Sequence, residues 1–103
     1  MLILSLMNCA CSNGELTEQR KQQYQALCRP IIEWLETQYS VSNRYPCTLP
    51  DEIASQLMTI NCYGSYSVYG TNDDQYTLRI GDYMKDGWLY YWSSKDKHWH
   101  VDR

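Results

Sequence analysis

An apolar stripe at steps of three and four residues runs through the first third of the chain and makes a long helix there the central element of the fold. Its members are Tyr24, Leu27, Cys28, Ile31, Leu35 and Tyr39. This period predicts one amphipathic helix over residues 14–40. Pro30 interrupts the pattern, but the stripe stays in phase across it. We therefore expect one helix with a kink at Pro30 and not two unrelated helices.

The start of this helix carries a capping signal and a polar first half. Ser12 stands three residues before Glu15, which is the spacing of a capping box. Residues 18–23 read EQRKQQ and have little to bury. We expect this half to project as a stalk.

Two prolines follow the long helix and separate it from a second one. Pro46 and Pro50 are four residues apart in NRYPCTLPDEIASQL, so they cannot both lie inside a helix. Pro50 and Asp51 suit a first helical turn, and Ile53 and Leu57 supply one apolar stripe. A short second helix is therefore predicted after the proline loop.

The rest of the chain alternates polar and apolar residues with period two, which is typical of strands. The predicted strands are residues 63–69, 75–80, 88–93 and 98–102, separated by turns at 70–74, 85–87 and 94–97. The predicted fold class is α+β: a long kinked N-terminal helix packed on an antiparallel meander of about four strands, with a short second helix between them. Residues 15–103 are expected to form one domain.

Charge and motif content favour a protein that binds another protein. Nine Lys/Arg against twelve Asp/Glu give a net charge of −3, without the clustered basic surface that nucleic acid requires. No apolar run reaches the roughly 18 residues of a membrane span. No nucleophile motif or dispersed triad appears, so we expect neither an enzyme nor a cofactor.

Five cysteines with no zinc-ligand spacing favour an oxidising compartment. Leu6-Met7-Asn8-Cys9 resembles the lipobox of bacterial lipoproteins, which implies that residues 1–14 are a truncated signal and tether and that Cys9 carries lipid. Cys11 as the anchor, or a disordered N-terminus with two spare thiols, is the alternative.

If Cys9 is lipidated, the disulfide candidates are Cys47, Cys62, Cys28 and Cys11. A bridge between Cys47 and Cys62 would pin the proline loop to the sheet, although Cys28 could pair with either.

The helix end and the proline loop carry a second resemblance. Tyr39, Tyr45, Pro46, Leu49 and Pro50 follow a pattern similar to that in the globular domains of bacterial pseudopilins and type IV pilins. This likeness covers roughly residues 24–82. The chain lacks the prepilin N-terminal helix that packs pilins into filaments. The resemblance therefore implies a lipid-anchored pilin-like module and not a filament subunit.

A weak metal signal lies in the last predicted strand. His98, His100 and Asp102 alternate, so their side chains leave one face of that strand. Imidazole and carboxylate groups suit Zn, Cu or Ni. An exposed polar edge explains the same residues more simply, and no metal is favoured.

Two functions remain open, both in the periplasm or at the outer surface. The first is an envelope-anchored lipoprotein that acts through protein–protein interaction or assembly, with the membrane contacted only through its lipid. The second is a small immunity or inhibitor protein that neutralises a toxin. The chain has ten Tyr, four Trp and no Phe, and Tyr and Trp are enriched in interface cores. Trp88, Tyr90 and Trp92 share one face of a strand and are the predicted interaction surface.

Overall fold

The computed structural model describes residues 14–103, which form the α+β fold predicted from the sequence. Cys9, Cys11 and Ser12 lie outside the described residues. The elements in chain order are α1 (Glu18–Ser42), α2 (Asp51–Ile60), β1 (Ser65–Tyr69), a 3-10 turn (Thr71–Asp73), β2 (Gln75–Ile80), α3 (Tyr83–Asp86), β3 (Leu89–Ser93) and β4 (His98–Asp102). The long helix, the short second helix and the four-stranded meander are confirmed.

Capping interactions set both ends of α1. The hydroxyl of Thr17 accepts a hydrogen bond from the backbone N–H of Arg20 at 3.1 Å, so the helix begins at Glu18. At the other end Asn43 adopts a left-handed conformation and donates its N–H to the carbonyl of Tyr39 at 2.8 Å. The helix continues through Pro30, so the prediction of one helix is confirmed.

Most of the predicted stripe faces the core. Tyr24, Cys28, Ile31 and Leu35 are the buried residues of α1. Leu27 is 54% exposed, so its predicted burial is wrong. It lies on the flank of α1 and lines a surface depression together with residues of α2, including Ile60.

The first half of α1 packs on the body of the protein, and the predicted stalk is wrong. The side-chain amide of Gln25 donates a hydrogen bond to the hydroxyl of Tyr90 at 2.7 Å. Just before the helix, Leu16 is only 4% exposed. The indole N–H of Trp88 donates to the carbonyl of Gly14 at 2.8 Å. Because these contacts hold both the helix and the segment before it, the polar sequence here covers the core.

The four strands form one antiparallel sheet in the order β1-β2-β3-β4. The bounds predicted for β2 and β4 are confirmed. At β1, the N–H of Gly64 bonds to the carbonyl of Asn61 in a turn, and the strand begins only at Ser65. Trp88 precedes β3.

A one-turn helix, α3, stands where the sequence predicted only a turn. The side chain of Asp82 caps it by accepting the N–H of Met84 at 3.1 Å, and Gly87 ends it in a left-handed conformation. An element of one turn is too short to show a helical period in the sequence. The sequence signal for this helix is the pair of capping residues, Asp82 and Gly87.

The core lies between α1 and one face of the sheet, and tyrosines occupy much of its centre. Tyr76 is fully buried, and the ring of Tyr45 meets it edge-on with centroids 4.6 Å apart. The hydroxyl of Tyr76 accepts the indole N–H of Trp92 at 3.1 Å. Burial raises the pKa of Tyr76 and Tyr45, so both stay neutral over the ordinary pH range.

Candidate interaction surface

The sheet has a second face, opposite α1, where the exposed polar side chains of the strands gather. Strand residues alternate between the two faces, and those of β2 facing α1 are fully buried. The other face is formed by the odd-numbered residues of β1, β2 and β3 and the even-numbered residues of β4. We call this the open face. One covered face and one polar face are typical of an antiparallel sheet.

A transverse row of four side chains crosses the open face. The strand register places Ser65 opposite Arg79, Arg79 opposite Tyr91, and Tyr91 opposite His100. The rings of Tyr91 and His100 are stacked, with centroids 5.0 Å apart and an interplanar angle of 20°. A hydroxyl, a cation, a phenol and an imidazole therefore stand side by side.

A hydrogen-bonded contact with Asp96 of the β3–β4 turn orients the imidazole of His100. Its Nε2 lies 2.8 Å from a carboxylate oxygen of Asp96. The hydrogen bond to His100 lowers the pKa of Asp96. The carboxylate is solvent-exposed, so this contact positions the ring more than it stabilises the fold.

A shallow depression of about 210 Å³ lies on the open face. It is lined by Thr77, Arg79, Leu89, Tyr91 and Asp102. Arg79 is exposed and makes no ion pair with any residue of 14–103. The hydroxyl oxygen of Thr77 is buried and has no hydrogen-bond partner in that same range. The depression thus offers a cation, a carboxylate and an aromatic ring to a polar ligand.

The interaction surface predicted from the sequence is wrong. Trp88 and Tyr90 are each 3% exposed, and Trp92 is half-buried with its indole N–H bonded to Tyr76. The even-numbered residues of β3 face α1, so these rings belong to the core. Tyr91 is the aromatic residue of β3 that lies on the open face. Its polar cross-strand neighbours were the signal that could have identified it.

Two of the cysteine predictions can be compared with the structure. Cys28 is a free thiol with no exposed surface, and burial raises its pKa to about 12. Cys47 is a free, exposed thiol whose sulfur lies 3.7 Å from a carboxylate oxygen of Asp73. The predicted bridge between Cys47 and Cys62 is therefore absent. The lipidation site, Cys9, and the candidate Cys11 lie outside the described residues.

The metal candidates share a strand but not a site. His98, His100 and Asp102 alternate along β4 as predicted, but His100 pairs with Asp96 of the turn that precedes the strand. Within residues 14–103, no group of three or more His, Cys, Asp or Glu side chains is arranged to hold a metal ion.

No family model, curated protein or solved structure matches this chain. None of the helices in residues 14–103 has the length and apolar character to cross a bilayer. The lipoprotein and pilin-like interpretations therefore stay predictions that rest on the motifs quoted above. The open face is the structural feature from which a function can be inferred.

Proposed function

We propose that this protein is a non-enzymatic, envelope-anchored lipoprotein, in the periplasm or at the outer surface, whose pilin-like domain binds another protein through the open face. The observation that carries the proposal is the exposed guanidinium of Arg79, without an ion pair in residues 14–103, beside the ring of Tyr91. Arg and Tyr are enriched at the energetic centres of interfaces.

The shape of the open face favours a protein over a small molecule. The depression of about 210 Å³ is smaller than the roughly 300–1,000 Å³ of typical small-molecule pockets. Its charged groups, Arg79 on β2 and Asp102 on β4, lie on either side of β3, so an extended peptide or a loop that crosses β3 can contact both.

The lipid-anchor part of the proposal sets a short distance between the domain and the membrane. Cys9 is five residues before Gly14, whose carbonyl is already bound to Trp88. Five extended residues span at most about 18 Å. An anchor at Cys9 would therefore hold the domain close to the lipid surface, and any partner would be met there.

Mass spectrometry of the protein from its native host's envelope tests the anchor. We expect a chain that starts at Cys9 and carries diacylglyceryl and acyl mass. The variant Cys9→Ser should lose this mass and leave the membrane fraction. An unmodified chain that begins at Met1 would contradict the anchor but would leave protein binding by the open face untouched.

Site-specific crosslinking in the host tests the binding face. A photoreactive amino acid at position 91 should give a protein adduct, and the same residue at Val41, which is 81% exposed on the last turn of α1, should not. Arg79→Glu should reduce the adduct at position 91 by about tenfold or more. No adduct, or equal adducts at both positions, would contradict the proposal.

A second candidate function, the toxin inhibitor, is favoured by the tip of α3. Met84 is 90% exposed and Tyr83 49%, so two large apolar side chains protrude between β2 and β3. Met adapts to irregular partner surfaces. If an adjacent gene encodes a toxin, Met84→Lys should abolish neutralisation and Arg79→Glu should not. The reverse result would favour the open face.

A further inference from the structure

We propose that two copies of this chain associate by antiparallel pairing of β4 with β4, which joins their sheets into one of eight strands. The inference goes beyond the proposed function, since it requires neither a lipid anchor nor another partner. β4 is an outer strand of the sheet, and within residues 14–103 only β3 pairs with it. An edge strand presents unpaired N–H and C=O groups that can template another strand.

On the side of the sheet that faces α1, Tyr90, Trp92 and Trp99 form an aromatic cluster. The cluster ends at Trp99 of β4, which is partly exposed. The ring of Trp99 stacks on Tyr90 with centroids 4.8 Å apart and meets Trp92 edge-on at 5.9 Å. Val101, the next residue of β4 on that side, is 38% exposed. A strand added at this edge would cover Val101 and the open flank of Trp99.

The sequence of β4 is complementary to itself when two copies run antiparallel about His100. Directly opposite residues share a face of the sheet. Trp99 then lies opposite Val101 of the second copy on the apolar side. On the open face, His98 lies opposite Asp102, where an imidazole N–H can donate to the carboxylate. Two-fold symmetry makes each of these contacts twice.

Other registers that keep the faces matched are worse. With the centre at Trp99, His98 would lie opposite His100 with no carboxylate to meet either ring, and Val101 would lie beyond the second copy's β4, which begins at His98. With the centre at Val101, His100 would lie opposite Asp102, but its imidazole is already bound to Asp96, and Trp99 would lie opposite the charged Arg103 outside β4. The pairing centred on His100 puts Trp99 and Val101 opposite each other, joins His98 to Asp102 and leaves the contact between His100 and Asp96 in place.

The other edge strand, β1, lacks side chains that would fix the register of a second copy. Its residues on the open face include Ser65 and Ser67, and the strand carries no charged side chain that could select a register. The hydroxyl of Tyr66 is already bonded to the carbonyl of Pro46 in the proline loop. We therefore assign the second copy to β4.

Sedimentation equilibrium of the purified full chain tests the proposal. A Cys47→Ser background removes the exposed thiol, so that a covalent dimer through that residue cannot contribute. We expect the mass to approach twice the 12.2 kDa of one chain as the concentration rises. A small edge-to-edge interface predicts a Kd on the order of 10–100 μM.

Two sets of variants identify the surface. Val101→Lys should raise the Kd by about tenfold or more, since it places a charge in the apolar contact. Val41→Lys, at a residue 81% exposed on α1, is the matched control and should leave the Kd unchanged. His98→Glu alone and Asp102→Lys alone should each weaken the dimer, and the double variant should restore it, because the opposite charges then face each other in exchanged positions.

Each outcome is decisive. A chain that stays monomeric up to about 1 mM would overturn the proposal, because even weak specific complexes associate below that concentration. A dimer unaffected by Val101→Lys would also overturn it and would point to the β1 edge. Circular dichroism of each variant shows whether the fold is retained, and the restoring double variant excludes unfolding as the cause of a weakened dimer.

Discussion

At the scale of single residues, the tyrosines that stand where a core usually has phenylalanine each have a defined hydroxyl partner. A buried hydroxyl without a partner is costly, whereas a paired one fixes the orientation of its ring. The hydroxyl bonds join Tyr90 to Gln25, Tyr45 to Glu36, Tyr66 to the carbonyl of Pro46, and Tyr76 to Trp92. These bonds connect α1, the proline loop and the sheet at specific points, so the core specifies one arrangement of its elements.

The buried thiol of Cys28 predicts a loss of stability at alkaline pH. Burial raises its pKa from 9.0 to about 12, so the neutral form is favoured in the folded state. The unfolded chain releases this proton first, and its contribution to the free energy of unfolding is complete below pH 9 and declines above it. The expected slope approaches about 1.4 kcal/mol per pH unit. Urea unfolding between pH 8 and 10 measures it.

The cysteine variants provide the control for this measurement. Cys28→Ala should lower stability at every pH but flatten the slope between pH 9 and 10. Cys47→Ala, at an exposed thiol, should keep the slope of the parent. The buried tyrosines act in the same direction as their unfolded forms begin to ionise near pH 10, so Cys28→Ala removes only the part of the slope that comes from the thiol. An unchanged slope in Cys28→Ala would contradict the prediction.

Two glycines with positive φ should respond differently to alanine. Gly81 has φ +89°, and an added Cβ would lie 2.5 Å from a ring carbon of Trp88. Gly87 has φ +77° with open space around it. Gly87→Ala should cost about 1–2 kcal/mol from backbone strain alone. Gly81→Ala should cost a further 1–3 kcal/mol, roughly, because the buried indole must move. Equal losses in thermal unfolding would show that the clash is relieved.

At the scale of elements, the Thr17 hydroxyl that caps the start of α1 contributes to stability in a way that a single substitution can measure. Thr17→Ala removes the hydroxyl that accepts the N–H of Arg20 and should lower the free energy of unfolding by about 1 kcal/mol. Thr37→Ala is the matched control, because this hydroxyl only bonds back to the carbonyl of Glu33 on the exposed side of α1. It should be neutral or stabilising by a few tenths of a kcal/mol, roughly. Chemical denaturation compares the two, and equal losses would contradict the capping role.

Periodicity predicted the type of each main element but not the choice of face in the sheet. The alternation in β2 and β4 gave their bounds, since every second residue is apolar. In β3 both faces carry aromatic residues, so alternation alone does not tell which side faces α1. Alternation therefore predicts Tyr90 and Trp92 at the surface and does not identify Tyr91. The contact that decides this, the hydrogen bond between Gln25 and Tyr90, joins residues far apart in sequence.

The first half of α1 shows the same limit of sequence reasoning. Its residues are polar, and a polar segment was expected to leave the body. In the structure, Lys21 keeps only 20% of its side chain exposed while its ammonium group pairs with Glu18. Long polar side chains can cover apolar surface with their stems. Composition therefore underestimates how much a polar helix packs.

At the scale of the whole molecule, α1 and the sheet share one core, which predicts a single unfolding transition. Leu35 is fully buried and Leu27 is 54% exposed, although both belong to the predicted stripe. Leu35→Ala should lower the free energy of unfolding by about 2–5 kcal/mol. Leu27→Ala should change it by less than about 0.5 kcal/mol. Circular dichroism of helix and fluorescence of tryptophan should give coincident transitions, and separate midpoints would contradict a single core.

The hydrogen bond between Trp88 and Gly14 also has a mechanical consequence. A tensile load applied at Gly14 would reach this bond and the buried side chain of Leu16 before it reached the first turn of α1. The indole is itself part of the core, so the load would enter the molecule at its interior and not at a fraying helix end. A domain held in this way transmits a pull as a rigid body until the bond between Trp88 and Gly14 breaks, and tryptophan fluorescence should change when the indole is exposed.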